Sequence, residues 1–401
     1  MIALNPSRAA IVFALWAAIA ASACSRSRGT GGLNDAGGLN DAGAADEWSV
    51  LDPPTPTQLW AVHGVGTDLY LAGDDGTILR TADAARTWVD VSVAPASVGA
   101  TIQYPRFYSI GASAADDVWV AGRTSPTSGV LMHTTDRGQS WQRVEVGTSS
   151  SLLGVWPIDR DRVLVTTEDG EILGTADGGA HWTALFSDPR MVLFGIWGSA
   201  SNDLYVVGGV ATAGDGDAGA NAPDGGTAPD GGADATTTYA GVVLHSSDGG
   251  ASWQTVADAA TACLLRHVSG TPDGATVYAA GDCGSVAHTT DHGASWSRSG
   301  TTAVAVNDND YDFTISDVWV SPAGTSYLLE DGSGYVNPDS PYDQHVCRAI
   351  DVELDGALLT QTTGCERLPP SGGFSATPMG VWGTADDDVW IVGFSILWHR
   401  S

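Results

Sequence analysis

Aspartate recurs in this chain at a fixed place in a short pattern, Ser/Thr-x-Asp-x-Gly-x-x-Trp. "TTDRGQSW" starts at Thr134, "TADGGAHW" at Thr175, "SSDGGASW" at Ser246 and "TTDHGASW" at Thr289, with a looser "TADAARTW" at Thr81. A carboxylate among hydroxyls could transfer protons or grip a sugar. The same residues also make a turn: the Asp accepts from nearby backbone N–H groups and the Gly supplies a positive φ. Repetition favours the turn, because an active site needs its acid once and a repeat needs its turn every time.

Three apolar stretches accompany the pattern with a period of roughly 40 residues. First comes a strand ending in Trp or a small residue, as in "LWAVHG" at Leu59, "LLGVWP" at Leu152, "LFGIWG" at Leu193 and "MGVWG" at Met379. An acidic turn and a second strand follow: "TDLYLAG" at Thr67, "DDVWVAG" at Asp116, "NDLYVVG" at Asn202, "SDVWVSP" at Ser316 and "DDVWIVG" at Asp387. The third strand runs into the Asp pattern, and a short fourth follows its Trp. Four short strands rich in Val, Ile, Tyr and Trp, bounded by Gly/Asp turns, describe a propeller blade.

The expected fold is all-β, a seven-bladed β-propeller of four-stranded antiparallel blades over residues 47–401. Its units are about 59–91, 107–146, 152–186, 192–256, 263–299, 303–368 and a last one from Met379. That last unit lacks a fourth strand, and "EWSVLD" at Glu47 supplies one, closing the ring with Trp48 in the place of the other outer Trp residues. Gly154, Gly195, Gly380 and Ala61 share one slot on the first strands, where strands converge on an axis and only small side chains fit. Tyr108 and His267 are expected in that slot in units two and five, lining or plugging the channel.

The repeated pattern resembles the Asp box of the BNR repeat superfamily, which includes sialidases, sortilin-type receptors and the photosystem II assembly factor family. The resemblance spans nearly all of residues 47–401; the first box has Ala85 in the Gly slot and the sixth unit lacks one. It implies that the boxes sit between third and fourth strands, away from the face that carries active sites. Asp83, Asp136, Asp177, Asp248 and Asp291 are then turn residues, with Gly138, Gly179, Gly250 and Gly293. Trp141, Trp182, Trp253 and Trp296 pack between neighbouring sheets. A sialidase would add an Arg-Ile-Pro, three Arg around a carboxylate and a Tyr–Glu pair; "YPRF" at Tyr104 only echoes this, and no Arg-Ile-Pro occurs.

Loops on the face opposite the boxes include the long insertion at 208–240, so a ligand surface is expected there. The candidates are Tyr104, Arg106, Tyr108, Arg123, Arg190, Arg266, His267 and Tyr311. His133, His245, His288 and His399 occupy one third-strand slot in different units, so they cannot meet around a metal. No catalytic residue, metal or cofactor is nominated.

The basic residues are all Arg, 17 against 47 acids, and the net charge of −30 repels a nucleic-acid backbone. Residues 1–23 resemble a lipoprotein signal peptide: Arg8, an apolar run too short to span a bilayer, then "ASAC" ending at Cys24, the expected lipidation site. Residues 24–46, with "GLNDAG" twice, are expected to be a flexible tether, and about 210–238 a disordered insertion. Four further cysteines suit an exported protein, and spacing favours Cys263–Cys283 and Cys347–Cys365.

Together these features predict a monomeric, exported, lipid-anchored outer-membrane propeller. It would bind a protein or glycan on the face opposite the boxes without catalysis. The alternative is a secreted glycoside hydrolase using acids and Arg on that face.

Overall fold

The computed structural model describes residues 48–401 apart from 53, 84, 94–95, 99–100, 126–127, 213–237, 300–313, 332–344, 350–363, 368–377 and 395. The signal segment with Cys24, the tether, Tyr311 and most of the long insertion therefore lie outside the described residues. Of Cys347 and Cys365 only the backbone is described.

The chain is an all-β propeller of four-stranded antiparallel blades. Six blades each use four strands consecutive in the sequence. Their first strands are Leu59–Val65, Arg106–Ala114, Leu152–Pro157, Met191–Ala200, Leu265–Gly270 and Thr314–Val320. Their fourth strands are Val89–Asp90, Gln142–Val144, Thr183–Ser187, Gln254–Thr255, Ser297–Ser299 and Gly364–Arg367. The remaining four-stranded sheet joins Pro378–Ala385, Asp388–Gly393 and Ile396–Arg400 to Ser49–Val50. Among the described residues, blades of consecutive strands therefore number six, not the seven units read from the sequence; the last unit is completed across the chain. Ser49 faces His399 and Val50 faces Trp398 in that ladder.

Blades stack on both faces, so their middle strands are buried on both sides. That is why Asp68–Gly73, Val163–Thr167 and Val277–Gly281 read as nearly continuous apolar runs and are buried throughout. The composite sheet packs in the same way. Trp390, Val392 and Leu397 meet Leu59, Val62 and Leu71 of the first blade. Trp48, Trp398 and Val381 cluster with Trp319 and Tyr327 of the sixth.

One strand differs from its expected role. Likeness to "DDVWV" makes "SDVWV" the second strand of unit six, yet it is the first strand of that blade, Thr314–Val320. Ser326–Asp331, His345–Ala349 and Gly364–Arg367 follow it in the sheet. A period-2 alternation of Val and Trp suits any strand buried on both faces, so the pattern cannot tell first from second. Cys347 and Cys365 are directly opposed in this blade's ladder. Cys263 and Cys283 are disulfide-bonded in the fifth.

The Asp boxes are the turns that the pattern implies. In the fourth blade Asp248 Oδ1 accepts from Ser252 N (2.9 Å) and Ser246 Oγ (2.8 Å), while Oδ2 accepts from Ser252 Oγ (2.6 Å). Gly250 donates its N–H to Ser246 Oγ at 2.8 Å with φ +88°. Asp83, Asp136, Asp177 and Asp291 repeat the arrangement, and Ala85 takes φ +59° where the first box lacks its glycine. Each box Trp reaches the preceding blade: Trp141 Nε1 donates to Val91 O at 2.7 Å, and Trp296 lies 6.0 Å from Tyr205. Trp182 and Trp253 join the clusters of Trp119 and Leu164.

Candidate functional site at the channel mouth

The first strands of all the four-stranded sheets surround one cavity of about 590 Å³, the axial channel. Strand direction distinguishes its two mouths. In an antiparallel blade the first and third strands run the same way, so the start of the first strand lies opposite the end of the third, where the boxes sit.

At that box-free mouth every first strand carries a register shift, between Leu59 and Ala61, Phe107 and Ser109, Leu152 and Gly154, Leu193 and Ile196, Leu265 and His267, Ile315 and Asp317, and Pro378 and Gly380. A bulge bends the strand and re-aims one side chain. The residues so displaced include Trp60, Tyr108, Leu153, Phe194, Arg266 and Met379, and all of them line the cavity. They form a crown of aromatic, aliphatic and cationic groups.

Charge around the crown is held in place by pairing. Arg106 Nε lies 2.7 Å from Asp74, whose Oδ1 also accepts from Trp60 Nε1 at 2.7 Å. The Arg106 guanidinium sits 5.5 Å from the Trp60 ring centre, and Trp60 meets Tyr108 edge-on at 6.0 Å. Arg123 is buried, 5.7 Å from the Tyr108 ring, and burial pushes the Tyr108 phenol up to about 12. Arg266 forks onto Asp282 (2.6 and 3.0 Å) and covers Phe194 at 4.9 Å. Tyr104 is exposed, two residues before Arg106. Arg190 lies apart, paired in the open with Asp188.

Of the two residues expected in the small slot, His267 is there and Tyr108 is not. Tyr108 is the displaced residue and Ser109 takes the slot, opposite Ala121 as Ala61 is opposite Ala72. The sequence gives no sign of a one-residue bulge, so alignment by apolar pattern places Tyr108 one position late. The sixth blade puts Asp317 in this slot. Slot side chains reach the next blade: Ser109 Oγ accepts from Val155 N at 3.1 Å, and Asp317 Oδ2 from Val381 N at 2.8 Å. His267 Nδ1 lies 2.9 Å from Asp317 Oδ1. At the other mouth, burial holds the His63 imidazole down to about 4.

The third-strand histidines have partners that the sequence reading missed. His133, His245 and His399 each place Nε2 2.7–2.8 Å from an Asp that opens the second strand: Asp117, Asp203 and Asp388. The ring stacks on that strand's aromatic, 3.7 Å for Trp119–His133 and for Trp390–His399, 4.4 Å for Tyr205–His245. Arg80 pairs with Asp68 in the first blade, and His288 stacks on Tyr278 at 5.0 Å. The signal was present as an Asp two residues before each Trp or Tyr. Ser113, Ser199 and Thr384 bond to the same carboxylates. The components of a catalytic triad are thus assembled in the wrong order. A central carboxylate cannot take a proton from the hydroxyl as a central imidazole would, so these are packing clasps. Among the described residues no group of three or more His, Cys, Asp or Glu could hold a metal.

Comparison with known proteins agrees with this geometry. A family described as photosynthesis system II assembly factor YCF48 matches residues 41–218. The photosystem II stability/assembly factor HCF136 of Oryza sativa subsp. japonica is 26% identical over 117 residues, 29% of this chain and 26% of the relative. Its Arabidopsis thaliana counterpart is 25% identical over 121 residues, 30% and 28% respectively. The alignment thus spans about a quarter of these curated relatives. Among solved structures, YCF48 bound to D1 peptide superposes with TM-score 0.55 at 17% identity, covering 88% of this chain and 96% of that one. The GH74 xyloglucanase of Xanthomonas campestris gives TM-score 0.56 at 16% identity, covering 88% and 53%. Box geometry, blade architecture and these matches together show a chain similar to the BNR-repeat β-propellers of the photosystem II assembly-factor type, with the family match confined to residues 41–218.

Proposed function

We propose that this chain is a binding and assembly module whose crown takes an extended segment of a partner protein. The observation that carries this is the register shift repeated at the start of every first strand, which turns Trp60, Tyr108, Phe194 and Arg266 towards one opening. Aromatic and Arg side chains clustered at the centre of a concave face are the usual anchors of protein interfaces. That a structural neighbour is bound to a peptide supports the reading.

The composite sheet acts as a seventh blade that closes the ring. The module works as a monomer, exported and held at the outer membrane by a lipid on Cys24, with no nucleic-acid partner. The glycoside-hydrolase alternative has less support: of the lining acids, Asp282 is ion-paired to Arg266, and Asp317 accepts from two backbone N–H groups with His267 beside it. A glycosidase needs carboxylates facing its substrate.

A peptide library displayed on phage and selected against the full chain tests the proposal, with hits measured by fluorescence anisotropy. Trp60→Ala and Phe194→Ala should each weaken binding tenfold or more, at about 1.4 kcal/mol per tenfold. Hits indifferent to both changes would overturn the assignment. Incorporation of radiolabelled palmitate, lost in Cys24→Ser, tests the anchor.

A further inference from the structure

We propose that the interior of the channel beside His267 is a second site, one that binds a neutral polyhydroxylated ligand of one or two glycosyl residues. It opens into the same channel as the crown but uses other residues, and it does not rest on protein binding there.

The hydrogen bonds of Asp317 decide what His267 offers. Asp317 Oδ1 accepts from Val318 N at 2.8 Å and Oδ2 from Val381 N at 2.8 Å. A carboxylate held by two backbone donors is itself only an acceptor, so His267 Nδ1, 2.9 Å from Oδ1, carries the hydrogen. In the neutral ring Nε2 is then a fixed acceptor, and among the described residues it has no partner. The side chain is 34% exposed and lines the channel. Every other slot residue except its partner Asp317 is Ala, Ser or Gly, so this acceptor stands out from an otherwise small-residue ring.

Donors line the same channel, Ser269 two residues along the His267 strand and Ser109 in the second blade. Ser109 Oγ accepts from Val155 N and Ser269 Oγ accepts from Val320 N, both at 3.1 Å, and both residues line the cavity. Each hydroxyl keeps its own hydrogen to give. One acceptor and two donors suit sugar hydroxyls, which both donate and accept. Trp156 and Trp197, half-buried on the lining and 6.4 Å apart, offer apolar surface to the C–H groups of a sugar ring.

Charge selects against ionic ligands. Arg266 is neutralised by Asp282, Asp317 accepts from two backbone N–H groups, and the chain's net charge of −30 repels anions. The channel that holds both this interior and the crown has a volume of about 590 Å³, enough for a small ligand by the usual range of roughly 300–1,000 Å³.

The test uses the full chain with methyl β-glucoside, N-acetylglucosamine and cellobiose as probes, read by saturation-transfer NMR and calorimetry. N-acetylglycinamide serves as a neutral amide control. At least one saccharide should bind, and its addition should move the ¹⁵N resonance of His267 Nε2 in the wild type, a readout that needs no variant. His267→Phe should weaken binding about tenfold, the effect of one lost hydrogen bond, while His267→Gln, which keeps an acceptor, should stay within about threefold. Any of three results would overturn the proposal: no saccharide binds, the amide alone binds, or the Nε2 resonance and the His267→Phe affinity are unmoved. Crown peptides should bind His267→Phe normally, so failure here is separable from failure of the crown.

Discussion

The benzo edge of Trp382 in the composite sheet occupies the space that a Cβ on Gly64 would need. This contact joins the last inner strand to the first. The same fit recurs between Trp197 and Gly270 and between Trp319 and Gly383, at 2.7 and 2.8 Å. Gly64→Ala must therefore push an indole out of a packed seam. We expect a loss of about 1–3 kcal/mol, the usual range for overpacking, seen as a lower denaturant midpoint with unchanged slope. Val50→Ala, on the exposed outer strand, should move the midpoint little.

The box carboxylates should report themselves in acid. Hydrogen bonds from Ser252, side chain first and then backbone, hold Asp248 down to about 2, and Ser295 does the same for Asp291. A carboxyl depressed in the folded state stabilises above its usual range near 4, and that stability disappears as pH falls through about 2. The double variant Asp248→Asn/Asp291→Asn should unfold more easily at pH 7 and show a shallower further loss between pH 4 and 2. Crown binding should not change, because the boxes are at the other mouth.

His63 predicts a second acid-sensitive window. Burial brings its pKa to about 4 in the folded chain, against the ordinary imidazole value of 6.5. Below about 6.5 the unfolded chain takes up a proton that the folded one refuses, so stability falls with pH until about 4 and then levels. Thermal unfolding of His63→Gln across that window should lack this component of the decline. An unchanged slope would show that the imidazole is not desolvated.

Reduction should loosen one blade more than the rest. The Cys263–Cys283 bridge closes a loop with a sequence separation of 20, worth about 3 kcal/mol by loop entropy. It also ties the turn that bears Asp282 to the start of the strand that bears Arg266. Cys263→Ser/Cys283→Ser should lower the unfolding midpoint, and hydrogen exchange should rise first at residues 277–289. Uniform loss of protection would argue against a local role.

Much of the architecture was readable because each blade repeats its own punctuation. Ser246, Asp248, Gly250 and Trp253 make a turn whose chemistry is local, so residue types alone define it. Trp48 could be placed for a similar reason: "EWSVLD" carries the Trp that marks the other outer strands. The candidate site was less legible. Ser109 rather than Tyr108 fills the second slot because a bulge shifts register without altering composition. Asp317 was hidden because "SDVWV" reads equally well as a first or a second strand. The pairing of His267 with Asp317 joins two blades, and long-range contacts of this kind leave no periodic trace. The Asp117–His133 clasp was different, since both members recur at fixed positions and could have been paired by repeat alignment.

The composite sheet has a mechanical consequence. Its outer strand, Ser49–Val50, meets Ile396–Arg400 over only two register pairs, whereas Tyr239–Ser246 meets Asp203–Ala211 over eight. A pull transmitted through the chain ahead of Trp48 would load that two-rung ladder first. Under load the ring would part at this joint, leaving the six blades of consecutive strands as the stiffer remainder.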